Sequence, residues 1–236
     1  DNDKVTPSKK DGALYMIGLI AESLLETKSY KNKMEQFLVS LVFPQFSSPH
    51  GHLRARACWM ISQFSEVEFQ APNVLEESLA MSIERILSKD EEIPVKVQAA
   101  VAVQKMLTSQ GERAKASVAS KVGEVTIELL DMIRENGNDD VIETLKTIVS
   151  TYGDEMKPLI MNICQNIVDM FTESLESCGN QVEGKSTTST SLLNALQTIL
   201  SVMEDETGTR AELVTIISKA IQPIFTDGRM QFFEEA

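Results

Sequence analysis

With 236 residues, 42% of them apolar and 24% charged, the chain has the make-up of an ordinary folded protein, which excludes a disordered tail, a collagen or a disulfide framework. Its 22 Lys plus Arg against 35 Asp plus Glu leave a net charge of −13. That is the wrong sign for a surface that neutralises nucleic-acid phosphates, and it suits either a basic partner or solubility alone. Aromatics reach only 6%, while Met and Gly number 11 each, a mixture that favours helix over sheet.

Asp1-Asn2-Asp3-Lys4 carries neither an initiator Met nor an apolar leader, so the chain reads as a segment cut from a longer one. Thr6-Pro7 then pairs a capping hydroxyl with a proline at the first helical position, and Ser48-Pro49 repeats the device. Apolar residues recur at steps of three and four, as in Leu75, Leu79, Ile83, Ile86 and Leu87, and in Val97, Val101, Val103, Met106 and Leu107. Gly153-Asp154 ends one helix and caps the next. Taken in order, these signals predict helices over 7–27, 31–43, 49–67, 73–88, 94–109, 112–135, 139–152, 154–177, 189–204, 207–226 and 228–235. No stretch alternates with the period of a strand, and none reaches the roughly 20 apolar residues that cross a bilayer, so no membrane insertion is expected.

The helices repeat. Ala13, Ala57, Ala99 and Leu145 recur in similar surroundings at intervals of 44, 42 and 46 residues, within the roughly 40–47 residue window of two-helix solenoid repeats. The expected fold is therefore all-α: an α-solenoid of stacked antiparallel helical hairpins of the HEAT type. Residues 1–236 make one segment of about five hairpins. Small residues (Ala13, Ala55, Ala57, Ala99, Ala100) let the second helix of each pair pack closely. The polar run Gly179–Ser191, with six hydroxyl residues from Ser186 to Ser191, is expected to be a flexible inter-helix loop.

Chemistry is hard to place on this chain. Gly179 to Ser186 fits the pattern of a phosphate-binding loop, but such a loop needs a buried strand before it, and Phe171–Cys178 is polar and helical in period. His50 and His52 lack the further ligands a metal requires, and no nucleophile stands beside a base. Cys58, Cys164 and Cys178 are odd in number, and the first two lie in apolar stretches as small hydrophobes. No enzyme activity, cofactor or metal is expected. Phe37, Phe43, Phe46 and Phe64 read as core, and Phe232-Phe233 as exposed.

What remains is acid. Asp90-Glu91-Glu92 precedes the helix at Pro94, and nine carboxylates face two basic residues between Val122 and Glu155. Carboxylates at turns and helix starts serve the helix dipole in any protein. They also offer a surface to a basic partner, and the candidate residues for it are Asp90, Glu91, Glu92, Asp139, Asp140 and Glu143.

Several blocks resemble the importin-β superfamily, in particular its importin seven/eight subgroup. They are Lys9–Gly18, Val42–Ser48, Arg54-Ala55-Arg56-Ala57-Cys58-Trp59, Pro94–Ala100 and Asn138-Asp139-Asp140. The resemblance runs in order over roughly residues 9–175 and returns at Leu193 and near Phe232–Glu234; the blocks at 54–59 and 94–100 are the specific ones. It implies a central portion of a nuclear import receptor that shuttles between cytoplasm and nucleus through the pores of the nuclear envelope. Basic cargo proteins such as ribosomal proteins or histones would bind its inner surface. The GTPase Ran in its GTP form would release them, and phenylalanine–glycine nucleoporins would engage the full-length receptor. A HEAT scaffold subunit of another complex is the other reading of the same repeats.

Overall fold

The computed structural model describes residues 6–71, 73–89, 91–177, 184–203 and 207–226. The described residues are mostly helical, with no strand among them. Among them no helix is long and apolar enough to cross a membrane. The chain forms two compact units, residues 1–125 and 126–236. The first holds α1 (Pro7–Leu19), α2 (Ala21–Glu26), α3 (Lys28–Lys31), α4 (Met34–Phe37), α5 (Gly51–Gln63), α6 (Val74–Leu87), α7 (Ile93–Gln110) and α8 (Glu112–Val118). The second holds most of α9 (Val122–Asn136), then α10 (Asp139–Thr151), α11 (Gly153–Ser177), α12 (Gly184–Val202) and α13 (Thr207–Thr226).

Within each unit a helix packs on its next-but-one neighbour as well as on its partner. In the first, α5 lies on α7 and α6 on both α7 and α8, while α1, separated from α5 by three short helices, also lies on it. In the second, α10 lies on α12, while α11 meets α12 and α13. Helices that pack on alternate elements as well as on their partners are the construction of an α-solenoid. The reason is apolar area. A lone hairpin cannot cover its own hydrophobic stripe, so it buries that stripe against the next helix.

Small residues set how closely the helices approach. Ala57 and Cys58 of α5 and Ala99, Ala100 and Ala102 of α7 are all fully buried. Val97 and Val101, expected in the apolar stripe of α7, are only half-buried. The alanines occupy the innermost line because helix backbones approach most closely where side chains are short. Phe43, Phe46 and Phe64 are core as expected, and half-buried Phe37 stacks on Phe64 at 5.8 Å.

Several helix boundaries differ from the sequence expectation. The helix expected over 7–27 is broken at Ile20. The one expected over 31–43 widens into a π-helical turn at Leu38–Val42 and tightens into a 3₁₀ turn at Phe43–Ser47. Pro44 is the cause: it has no N–H and its ring crowds the preceding turn, so the chain bonds Phe43 N to Leu38 O instead. Gln45 Nε2 then donates to Leu41 O at 3.0 Å. Thr6 caps α1 as expected, but α5 begins at Gly51, two residues past Pro49. Ser48 is extended, the usual state before a proline, and its carbonyl accepts from Arg54 Nη1 at 2.8 Å. The helix expected over 49–67 stops at Gln63, and the connection after it is tied down. Ser109 Oγ and Gln110 Nε2 donate to Ser65 O at 2.8 and 2.6 Å, and Glu35 accepts from the amides of Gln70 and Ala71. The helix expected over 112–135 is interrupted by a 3₁₀ turn at Ala119–Lys121. Ser117 Oγ donates back to Arg113 O at 3.0 Å just before it, a bond that bends helices.

The expected flexible loop at 179–191 is corrected over its second half. Residues 178–183, Cys178 among them, lie outside the described residues, but α12 already begins at Gly184. Thr188 Oγ1 donates to Gly137 O at 2.9 Å, and Ser189, fully buried, shares a 2.8 Å hydrogen bond with Ser174. Hydroxyls that composition assigns to solvent are satisfied by neighbouring helices here. The phosphate-loop match at 179–186 falls largely on the undescribed stretch, as do the helix at 228–235 and Phe232-Phe233.

Candidate acidic interaction surface

The candidate carboxylates divide between the two units. In the first, Glu91 sits in the turn between α6 and α7 and points inward, its side chain 2% exposed. Arg54 of α5 meets it with Nε at 3.1 and 2.9 Å from its two oxygens and Nη2 at 2.6 Å. Arg85 of α6 adds Nη1 at 3.2 Å, and the amide of Glu92 a further bond at 3.1 Å. Burial works against the charge of Glu91. The hydrogen bonds from Arg54 and the Glu92 amide, with the charges of both arginines, outweigh it and hold the carboxyl below its usual range. The same hydrogen bond raises the Arg54 guanidinium. Glu91 is therefore corrected from a partner-facing acid to the centre of a clamp joining three elements.

Glu92, the next residue, is exposed, with its carboxylate over the start of α5. A Cβ at Gly51 would stand 2.5 Å from Glu92 Oε2. A larger residue there would push the exposed carboxylate aside, away from the helix N-terminus, where negative charge is favoured. Asp90 lies outside the described residues. His50 and His52 flank the same helix start with exposed rings 5.5 Å apart. Among the described residues no group of three His, Cys, Asp or Glu could hold a metal ion.

In the second unit Asp139, Asp140 and Glu143 are all exposed on α10. Asn138 caps that helix, accepting from the amides of Asp140 and Val141 at 3.0 and 3.2 Å. The two aspartates occupy the first turn without being needed as caps. Glu143 pairs with Lys146 at 2.8 Å, an exposed contact one turn long that solvent screens. Half-buried Glu128 and exposed Asp131 and Glu135 of α9 extend the acid-rich run. Their spacing of three and four residues was the legible signal for a carboxylate row that the candidate set omits.

The sequence block at 54–59, which carries the resemblance most specifically, is structural. Arg54 serves the Glu91 clamp. Arg56 binds Asp11 of α1 at 2.7 Å and lies 4.6 and 4.8 Å from the ring centres of Tyr15 and Trp59. Ala57 and Cys58 are buried beneath them. A Cβ at Gly18 would strike the Trp59 ring, so α1 can only lie this close through glycine. Burial pushes the Cys58 thiol far up, and the Cys164 thiol up to about 11; both are core residues rather than nucleophiles.

Paired helices, clamped by arginines within and carrying carboxylates on their exposed turns, define a helical-repeat protein of the α-solenoid class. The chain belongs to the importin-β family, on its importin seven/eight branch. It is 34% identical over 230 residues to Importin-8 of Homo sapiens, a match covering 97% of this chain and 22% of that protein. Importin-8 of Danio rerio is 33% identical over 235 residues, again 97% of this chain. A probable importin-7 homolog of Dictyostelium discoideum is 29% identical over 98% of it. The chain thus spans about a fifth of the length of these relatives. No family model matches the chain. No solved structure matches it with significance.

Proposed function

We propose that this chain is a solenoid segment, about five hairpins long, of a non-catalytic nuclear import receptor that binds basic cargo proteins such as ribosomal proteins or histones. The observation that carries the reading is the similarity to Importin-8 along 97% of the chain. Charge supports the cargo class: a protein of net charge −13 keeps Glu92, Asp139, Asp140 and Glu143 in solvent, where they attract a cation across roughly a Debye length of 8–10 Å. In the full-length receptor, Ran in its GTP form releases the cargo and phenylalanine–glycine nucleoporins carry the complex through the pore, so that the protein shuttles between cytoplasm and nucleus.

Capture of core histones by the immobilised chain across a salt series tests the charge mechanism. Binding at low salt should fall steeply as salt rises, and weaken further in a D139K/D140K/E143K variant. Binding that is absent at low salt, or indifferent to salt and to the triple reversal, would overturn it.

A further inference from the structure

The chain contains two dipeptides in which a hydroxyl residue precedes proline, Thr6-Pro7 and Ser48-Pro49. The structure separates them. Ser48 is half-buried, its Oγ accepts from the amide of His50 at 3.2 Å, and its carbonyl is held by Arg54. Thr6 is exposed and extended, at φ −65° and ψ 152°, and its Oγ1 takes only a long 3.4 Å bond from the amide of Lys9. Lys9 and Lys10 follow it, Lys9 exposed, and the first turn of α1 carries no acidic residue.

We propose that Thr6 is a phosphorylation site for a proline-directed serine/threonine kinase. Such an enzyme leaves the residue after the acceptor without a backbone hydrogen-bond partner, which proline alone tolerates without loss. Acidic groups in its groove read a basic residue two places beyond that proline; Lys9 stands at that position in the first turn of α1, and this turn, held to Thr6 by only the long 3.4 Å bond, unwinds for the groove to read it. In the transfer, Thr6 Oγ1 attacks the γ-phosphorus of ATP, and the bond from that phosphorus to the bridging oxygen of ADP breaks. The hydroxyl proton passes to the carboxylate base of the kinase. The product places a dianion beside two lysines, where it gains charge-assisted hydrogen bonds.

The experiment treats the whole 236-residue chain with a purified cyclin-dependent kinase and ATP and maps the phosphate by mass spectrometry. Label should enter Thr6 about tenfold faster than Ser48, and a K9A/K10A variant should lose about tenfold in rate, as expected for one charge-assisted contact. Pro7→Ala should abolish labelling at Thr6 while Ser48 is unchanged. The phosphorylated chain should also unfold at higher temperature than the untreated one. An unlabelled Thr6, a faster Ser48, or a Pro7→Ala chain labelled at the same rate would overturn the proposal.

Discussion

The two units solve one problem, holding one helix against the next, with different chemistry. The first does it with charge. Arg54, Arg85 and Glu91 join α5, α6 and the turn before α7, and Arg56 joins α5 to Asp11 on α1. Among the described residues of the second, hydroxyl groups and close approach stand out: Thr188 to the Gly137 carbonyl, Ser189 to Ser174, and Gly153 against Val202, with charge entering where the exposed Arg134 donates to Asn166 at 2.6 Å. The consequence lies in what each leaves outside. A carboxylate recruited as a clamp is desolvated and neutralised, so Glu91 has nothing to offer a partner. Hydroxyl clamps leave Asp139, Asp140 and Glu143 in water.

Removing the charge clamp should have the largest effect. Glu91→Ala strands two arginine head groups against a buried turn, and we expect a loss of about 3 kcal/mol in chemical denaturation of the first unit. The pH dependence carries the sign of the contact. Because the folded-state carboxyl is held below its usual range, its contribution is complete above the ordinary glutamate pKa of about 4.3 and is lost as pH falls through the depressed value. Denaturation curves of the parent and Glu91→Gln should therefore differ by a constant amount from pH 7 to about pH 5 and converge below about pH 4. A gap that widens on acidification would contradict the clamp.

The neutral clamp should respond to shape. Gly137 ends α9 at φ +57°, and a Cβ there would stand 3.2 Å from the Thr188 methyl. Gly137→Val should cost about 2 kcal/mol through backbone strain and crowding together. Thr188→Val, which removes the hydrogen bond and keeps the shape, should cost about 1 kcal/mol. Thr188→Val losing more than Glu91→Ala would reverse the ranking of the two clamps. The smallest effect belongs to the exposed pair. Glu143→Gln should change stability by no more than about 0.5 kcal/mol, and 0.5 M salt should erase the difference.

The all-α solenoid class and the buried stripe of α6 were legible in the chain, and that of α7 in part, because helix periodicity and capping act within a few residues. Thr6-Pro7 and Asn138-Asp139-Asp140 could be read as helix starts for the same reason. Pro44 was visible but its effect was not: a proline announces that a helix is disturbed, and packing decides whether it ends or widens. The acidic surface was legible in part. Glu92, Asp139, Asp140 and Glu143 are exposed as their polarity suggests. Glu91 sits between two residues of like charge and differs from neither in composition. Its partner Arg54 is 37 positions away on another helix, and no local signal reports that distance.

The sequence by itself determined that the chain is all-α, that α6 carries an apolar stripe, and that the net charge is acidic. These follow from short-range forces and summed charge. Tertiary structure alone decided which carboxylate is spent as a clamp, which proline-flanked hydroxyl stays in solvent, and which hydroxyls of the Ser/Thr run are core. Each of those outcomes depends on groups from distant helices meeting at hydrogen-bond range, where desolvation and pairing are settled together.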